Sequence, residues 1–373
     1  MQNEHQTDPF APIPPGTSQT IINPNTTANL LQAQLLQQRQ DASQLQQDDE
    51  YDSTADLFTV QSANHWLMEA NARPIPRMLF GKLWYEGELC ILFADSNVGK
   101  SILAVQIGDC ISSGKGMPPF TIEAQTQAVL YCDFELTDKQ FEARYSHEYA
   151  EHYTFADSYY RSQLNPDNQL PDGFDDFDQY IIYQLERAIV QNNVRVVIID
   201  NLTYLRNEAE QAKDALPLMK QLKALKNRYG LSILALAHTP KRDSSLPIGK
   251  NDLQGSKMLM NFCDSAFAIG ESQADKNLRY IKQIKQRNTE QVYGADNVCL
   301  CHIIKPHNFL QYEFIGIGNE WEHLRKAKED DNERLMNAAT TLKQQGFSLR
   351  ESARALGISY QKVDRLLKLA EKQ

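Results

Sequence analysis

Nowhere in the 373 residues is there a run near the ~18 consecutive apolar residues that a membrane-spanning helix needs, so no membrane partner is expected. The first ten residues, MQNEHQTDPF, have neither a basic cluster nor an apolar core, and no secretory leader is read there. Cysteine is sparse: six residues, scattered, laying out no disulfide framework, as expected of reduced thiols in a cytoplasm. Cys299, Cys301 and His302 lie close together, but VCLCHII alternates as a strand does and sends His302 to the opposite face, so no metal site is assigned. Basic residues are nearly missing from the first 60 positions, where Arg39 stands alone and the charge is about −7. The net charge of −10 is therefore largely a property of that segment. From Asn332 onward the balance is about +4, so the overall acidity does not exclude DNA.

Residues 1–60 are rich in Gln, Asn, Thr, Asp and Pro and poor in large apolar side chains. Burial there cannot offset the entropy of ordering, and the segment reads as a disordered tail. Residues 30–37, with leucines at 30, 31, 35 and 36, read first as solvated linker and in the alternative as a short helix that docks a protein partner.

From 61 to 325 the composition is globular. Strand-like runs occur at 88–94, 128–134, 194–200, 231–237, 265–270, 278–284, 297–304 and 311–317. Helical patterns at 178–191 and 214–228 separate the earlier ones. Short, nearly all-apolar strands alternating with amphipathic helices predict a mostly parallel sheet covered on both faces. The later strands follow one another closely and are expected to close one side as antiparallel partners. The tyrosine-rich stretch between the second strand and the following helix reads either as a lid or subunit contact or as an irregular surface insertion, and receives no catalytic role. Residues 326–373 form a charged linker and a compact helical module.

The richest segment is ILFADSNVGKS. An apolar strand meets a small-residue loop, then Gly99, Lys100 and Ser101, then a helical run. That order builds a phosphate cradle, with Ala94, Asp95, Ser96, Asn97, Val98, Gly99, Lys100, Ser101 and Ile102 as its backbone. Lys100 neutralises β/γ-phosphate charge, and the Ser101 hydroxyl is placed to hold Mg²⁺. Gly99 allows the close backbone approach. Ala94 stands where the usual pattern has its first glycine, and a positive φ there would be strained.

Three further strand ends add polar groups. VRVVIIDN closes on Asp200, where a carboxylate reaches the crevice of an open α/β sheet and can join Ser101 on the metal. Glu135 follows the second strand and is suited to orient and activate a water, with Asp133 as the competing carboxylate. His238 ends another apolar strand, where it either senses a γ-phosphate or satisfies a turn. The loop after it carries Lys241, Arg242, Lys250 and Lys257, suited to gripping a nucleic-acid backbone. In RYIKQIKQRN, Lys285 and Arg287 fall on one strand face as a candidate finger for a neighbouring subunit's γ-phosphate, or as charges guarding a sheet edge.

Phosphate loop, Glu135, Asp200, His238 and the KQR segment come in the order that resembles RecA-superfamily ATPases. The chain is most similar to the plasmid RepA-like and DnaB-like hexameric helicase branch, with RadA-type ATPases nearby, over roughly Arg73 to Ile317. FELTDKQFEARY resembles the segment that carries that branch's catalytic glutamate, and IKQRN its Lys-x-Arg finger. The resemblance implies a RecA-like α/β fold, ATP and Mg²⁺ as cofactors, Arg144 on the adenine, and a homo-oligomeric ring, a hexamer in that branch. Neither the N-terminal helical domain of DnaB-type helicases nor the zinc element of RadA-type proteins is recognisable.

The C-terminal segment reads as three short helices. Ser348 and Glu351 form a capping box, Gly357 a tight turn, and Ser359 caps the last helix. It resembles a helix-turn-helix, with Ser359, Tyr360, Gln361, Lys362 and Arg365 near the groove-facing end. The expectation is a RecA-like motor that hydrolyses ATP and acts on DNA, a RepA-like replicative helicase or a related mobile-element ATPase. The alternative is an ATP-dependent DNA-binding regulator or scaffold that assembles on DNA without unwinding it.

Overall fold

The computed structural model describes residues 58–165, 170–174, 176–202, 215–240, 242–253, 256–325 and 329–370. The expectations for the tail, including the helix over 30–37, lie outside these residues apart from its last few positions. The chain divides into two units, Met1–Pro74 and Ile75–Gln373. In the first, helix α1 (Ala63–Asn71) is capped by Ser62, whose hydroxyl accepts from the His65 amide.

The second unit is built on a nine-stranded sheet. Its six parallel strands, in spatial order, are β10 (Ser265–Glu271), β3 (Leu89–Ala94), β9 (Ser232–His238), β8 (Val196–Asp200), β4 (Val129–Asp133) and β7 (Tyr159–Ser162). Beyond β10, strands β11 (Leu278–Lys285), β12 (Val298–Ile304) and β13 (Gln311–Gly318) continue antiparallel, as expected. A small pair, β1 (Met78–Phe80) and β2 (Trp84–Tyr85), precedes the sheet, and β5 (Ser146–His147) and β6 (Glu151–His152) form a hairpin.

The parallel strands are continuously apolar because both faces are covered. In β3, Cys90 and Leu92 pack towards helix α2 (Lys100–Ser113), which is buried along almost its whole length. Leu89, Ile91 and Phe93 pack on the other face, with α4 (Phe177–Gln191), α5 (Ala215–Tyr229) and α6 (Ser256–Phe262). The result is the three-layered RecA-like α/β architecture expected from the sequence. Among the described residues, no helix is long and apolar enough to cross a membrane.

The stretch read as an irregular insertion contains more order than its composition suggests. Tyr159–Ser162 pairs in parallel with β4 and forms one edge of the sheet. An edge strand of four half-buried residues carries no apolar run, so periodicity does not reveal it. Between β4 and this edge lies α3 (Asp138–Arg144), with a capping box from Thr137 and Gln140. At the C-terminus, α7 (Glu329–Gln344), α8 (Leu349–Leu356) and α9 (Tyr360–Ala370) pack around Ala339, Ala353, Val363 and Leu367. The Ser348–Glu351 capping box forms, and Gly357 adopts φ +63°.

Candidate active site

Register brings the site together. Ala94 pairs with His238 across β3 and β9, and Asp133 with Asp200 across β4 and β8. Each pair ends level, and β8 stops two residues short of β9, so all four strand ends face the edge where an open α/β sheet binds its ligands.

The loop after β3 turns through two left-handed residues, Asn97 (φ +62°) and Gly99 (φ +107°). Asparagine tolerates that region and glycine is at home in it. Ala94 lies inside β3 in extended pairing, so the strain anticipated there does not arise. Gly99 answers a second demand as well. A Cβ there would lie 2.7 Å from both the Ile303 Cδ1 and the Tyr312 hydroxyl oxygen. Tyr312 donates that hydroxyl to the Val98 carbonyl at 2.9 Å, so β12 and β13 brace the loop from behind. Asp95, Ser96 and Asn97 are exposed and Val98 is buried. Ile102 belongs to the core, and what it offers a ligand is its amide, among the first-turn N–H groups that an α-helix leaves without internal partners.

Lys100 is buried, and its ammonium donates to the carbonyls of Ala94 and Asp95, each at 3.0 Å. Burial draws its pKa below the usual lysine value, opposed by the charges of Asp200, Glu135 and Asp95. Asp200 is also buried. Its Oδ2 accepts from the Tyr131 hydroxyl at 2.6 Å, the Ser101 side chain adjoins the carboxylate, and Oδ1 has no hydrogen-bond partner among the described residues. Burial pushes its carboxyl up to about 6. A buried carboxylate oxygen with nothing to bind, beside a hydroxyl, is a donor set that fits Mg²⁺, which takes one or two protein oxygens and completes its shell with water and phosphate. No cluster of three His, Cys, Asp or Glu suited to a metal occurs among the described residues.

Asp133 and Glu135 have different surroundings. Asp133 is buried and receives the Arg161 Nε on one oxygen, and the amides of Glu135 and Leu136 on the other. Glu135 turns towards the crevice. Its Oε1 accepts from Asn201 Nδ2 and stands 3.5 Å from His238 Nε2. The His238 hydrogen bond holds its pKa below 4.5 against partial desolvation, helped by the charge of Lys100. His238 meets Lys100 Nζ through Nδ1 at 3.2 Å. Its Nε2 faces both the Glu135 carboxylate and the Asn201 side-chain amide.

Asn201 escaped the sequence reading. It is fully buried, reaches Glu135, and lies 3.0 Å from His238 Nε2. Its place immediately after the strand-ending aspartate was the available signal.

Other expected residues lie apart. Arg144 ends α3, its carbonyl accepts from the Leu310 amide, and Nη1 is buried without a hydrogen-bond partner among the described residues. Lys285 pairs with Ala266, which pairs with Ile91, so it stands towards the amino end of β3, away from the phosphate loop of its own chain. Strand β11 ends at Lys285, and Arg287 lies beyond it, so the two do not share a strand face as expected. They converge instead on the end of α6. Lys285 donates to the Met260 and Cys263 carbonyls, and Arg287 to the Asn261 carbonyl and Asp264. Helix-terminal carbonyls attract cations there.

In the loop after β9, Arg242 folds back onto the Leu246 carbonyl, while Lys250 is exposed. Lys241 and the side chain of Lys257 lie outside the described residues. The far end of this loop is pinned at Ile248, whose amide donates to Glu320 Oε1 and whose carbonyl accepts from Lys282, both at 2.7 Å. In the C-terminal module Ser359, Tyr360, Gln361 and Arg365 are exposed and Lys362 is half-buried.

A phosphate loop opening a buried helix, with a strand-ending aspartate two strands away across β9, defines a P-loop ATPase domain. The chain matches the AAA domain family over residues 54–244, just over half its length, and belongs to that family. Among solved structures it is similar to a KaiC-like protein from the hyperthermophilic archaeon Pyrococcus horikoshii OT3. The two are 12% identical with a TM-score of 0.44, over 64% of this chain and 100% of that one. None of the curated proteins matches.

Proposed function

We propose that this chain is a cytoplasmic, Mg²⁺-dependent ATPase that works as a homo-oligomeric ring or filament on DNA, in the manner of RepA-like helicases or a related mobile-element ATPase. One observation carries the ATPase reading: Lys100, the orphaned oxygen of Asp200, Glu135 and His238 converge at the ends of four adjacent strands. Lys100 and the first-turn amides of α2 bind the β- and γ-phosphates. Ser101 and Asp200 would hold Mg²⁺, which supplies charge neutralisation at the phosphates when bound. Glu135, ionised at neutral pH, takes the proton of the attacking water. Lys285 and Arg287 act on a neighbour's nucleotide, and Arg144 on the adenine. The basic C-terminal module, together with the loop after β9, binds DNA.

The test of the ATPase is nucleotide uptake and phosphate release with and without Mg²⁺. Glu135→Gln should retain binding and lose turnover by roughly 10²- to 10⁴-fold. No uptake in the presence of Mg²⁺ would end the proposal. The second reading, a regulator that assembles on DNA without unwinding it, is favoured by the exposed face of α9 beside its capped turn. A forked-duplex assay separates the two. ATP turnover without strand displacement rejects the helicase and leaves the regulator.

A further inference from the structure

The geometry points to Arg161 as the residue that positions Glu135, an inference that rests on the reading of Glu135 as the base. Arg161 comes from the edge strand β7, in the stretch read above as an insertion without a catalytic role, and lies opposite Tyr131 of β4. Its guanidinium is mostly buried and uses all three nitrogens. Nε meets Asp133 Oδ2 at 2.9 Å, Nη1 meets Asp138 Oδ1 at 2.8 Å, and Nη2 donates to the Leu136 carbonyl at 3.0 Å. The group also lies over the Phe141 ring, 4.4 Å from its centroid.

Those contacts fall on both sides of Glu135 in the chain. Asp133, once fixed by Arg161, uses its other oxygen to hold the Glu135 amide at 3.2 Å and the Leu136 amide at 2.9 Å. The backbone of the turn is thereby stapled at 133, 136 and 138, while the Glu135 side chain itself points the other way, towards Asn201 and His238. Arg161 touches no group expected to meet nucleotide. Its effect passes wholly through the turn. A planar fork with fixed donor directions can span three acceptors in this manner; a lysine ammonium on a flexible stem cannot. An error of about 1 Å in the placement of a catalytic group can cost on the order of 100-fold in rate.

The experiment uses the full chain with ATP and Mg²⁺, measuring kcat, KM and the Kd of a non-hydrolysable ATP analogue. Arg161→Lys should lower kcat by roughly 10- to 100-fold while analogue affinity stays within about threefold. In a Glu135→Gln background the same change should cost nothing further. A purely structural arginine would instead lower analogue affinity and melting temperature together, and would subtract activity in both backgrounds; that result overturns the inference. Asp138→Asn, at an exposed position, loosens one arm of the staple without threatening the fold. It should give a few-fold loss in kcat at unchanged affinity, and wild-type kcat in both variants overturns the inference. If Glu135→Gln itself turns over normally, it is the base assignment that fails.

Discussion

His238 stands between Lys100 and Glu135, its Nδ1 3.2 Å from the lysine ammonium and its Nε2 3.5 Å from the carboxylate. The residue proposed to grip phosphate and the residue proposed to activate water therefore both border one imidazole ring.

The two ends of this chain of contacts should separate on mutation. Lys100→Ala is expected to abolish nucleotide uptake. His238→Ala should retain uptake and lose turnover by roughly 10- to 100-fold, because the base loses its orienting partner. Equilibrium binding of a fluorescent ATP analogue beside steady-state phosphate release distinguishes the outcomes. Equal loss of binding in both variants would contradict the arrangement.

The pH dependence follows from Glu135. A general base works when deprotonated, and the His238 hydrogen bond holds this carboxyl below 4.5. The acid limb of kcat due to Glu135 therefore lies below the usual glutamate range in the wild type. Without the His238 bond, desolvation is less opposed, the pKa rises, and the limb moves to higher pH. Profiles of kcat against pH for wild type and His238→Ala check the direction; an unmoved limb refutes it.

Gly99→Ala should destabilise the domain by about 1–3 kcal/mol through the left-handed backbone alone. The added methyl also meets Ile303 and the Tyr312 hydroxyl, so nucleotide affinity should fall with stability. A melt indistinguishable from wild type would show that the loop can relax away from β12 and β13.

Arg287 cannot serve its own phosphate loop, since it lies past the end of β11 that is level with the amino end of β3. If the proposed ring forms, Arg287→Ala should lose hydrolysis by on the order of 10³-fold or more while still binding ATP. Mixing Arg287→Ala with Lys100→Ala subunits should restore part of the activity by forming composite sites. Full activity of Arg287→Ala alone would remove the finger.

Much of the sheet could be read from the chain because buried parallel strands are near-continuous apolar runs, and all eight runs picked out on that basis became strands of the main sheet. The phosphate loop was legible for a different reason: glycine, lysine and serine in fixed succession have few other uses. Arg161, Asn201 and Tyr131 were not legible. Each acquires its role from a partner on another strand, and nothing in local spacing announces which one. Strand β7 was hidden because four half-buried residues at an edge leave no periodic trace. The holders of Lys285 and Arg287 are backbone carbonyls at the end of α6, and a carbonyl has no letter in the sequence.

The alternation in β3 that sends Cys90 and Leu92 to one layer, and Leu89, Ile91 and Phe93 to the other, also sets Ala94 level with His238. Sliding this strand by a single position would exchange the side chains facing its two apolar layers and at the same stroke misalign the chemical groups at its tip. Packing errors and chemical errors are thus the same event here. A population of molecules in which this strand is threaded correctly should be uniformly competent, and one in which it is not should be inert rather than merely slow.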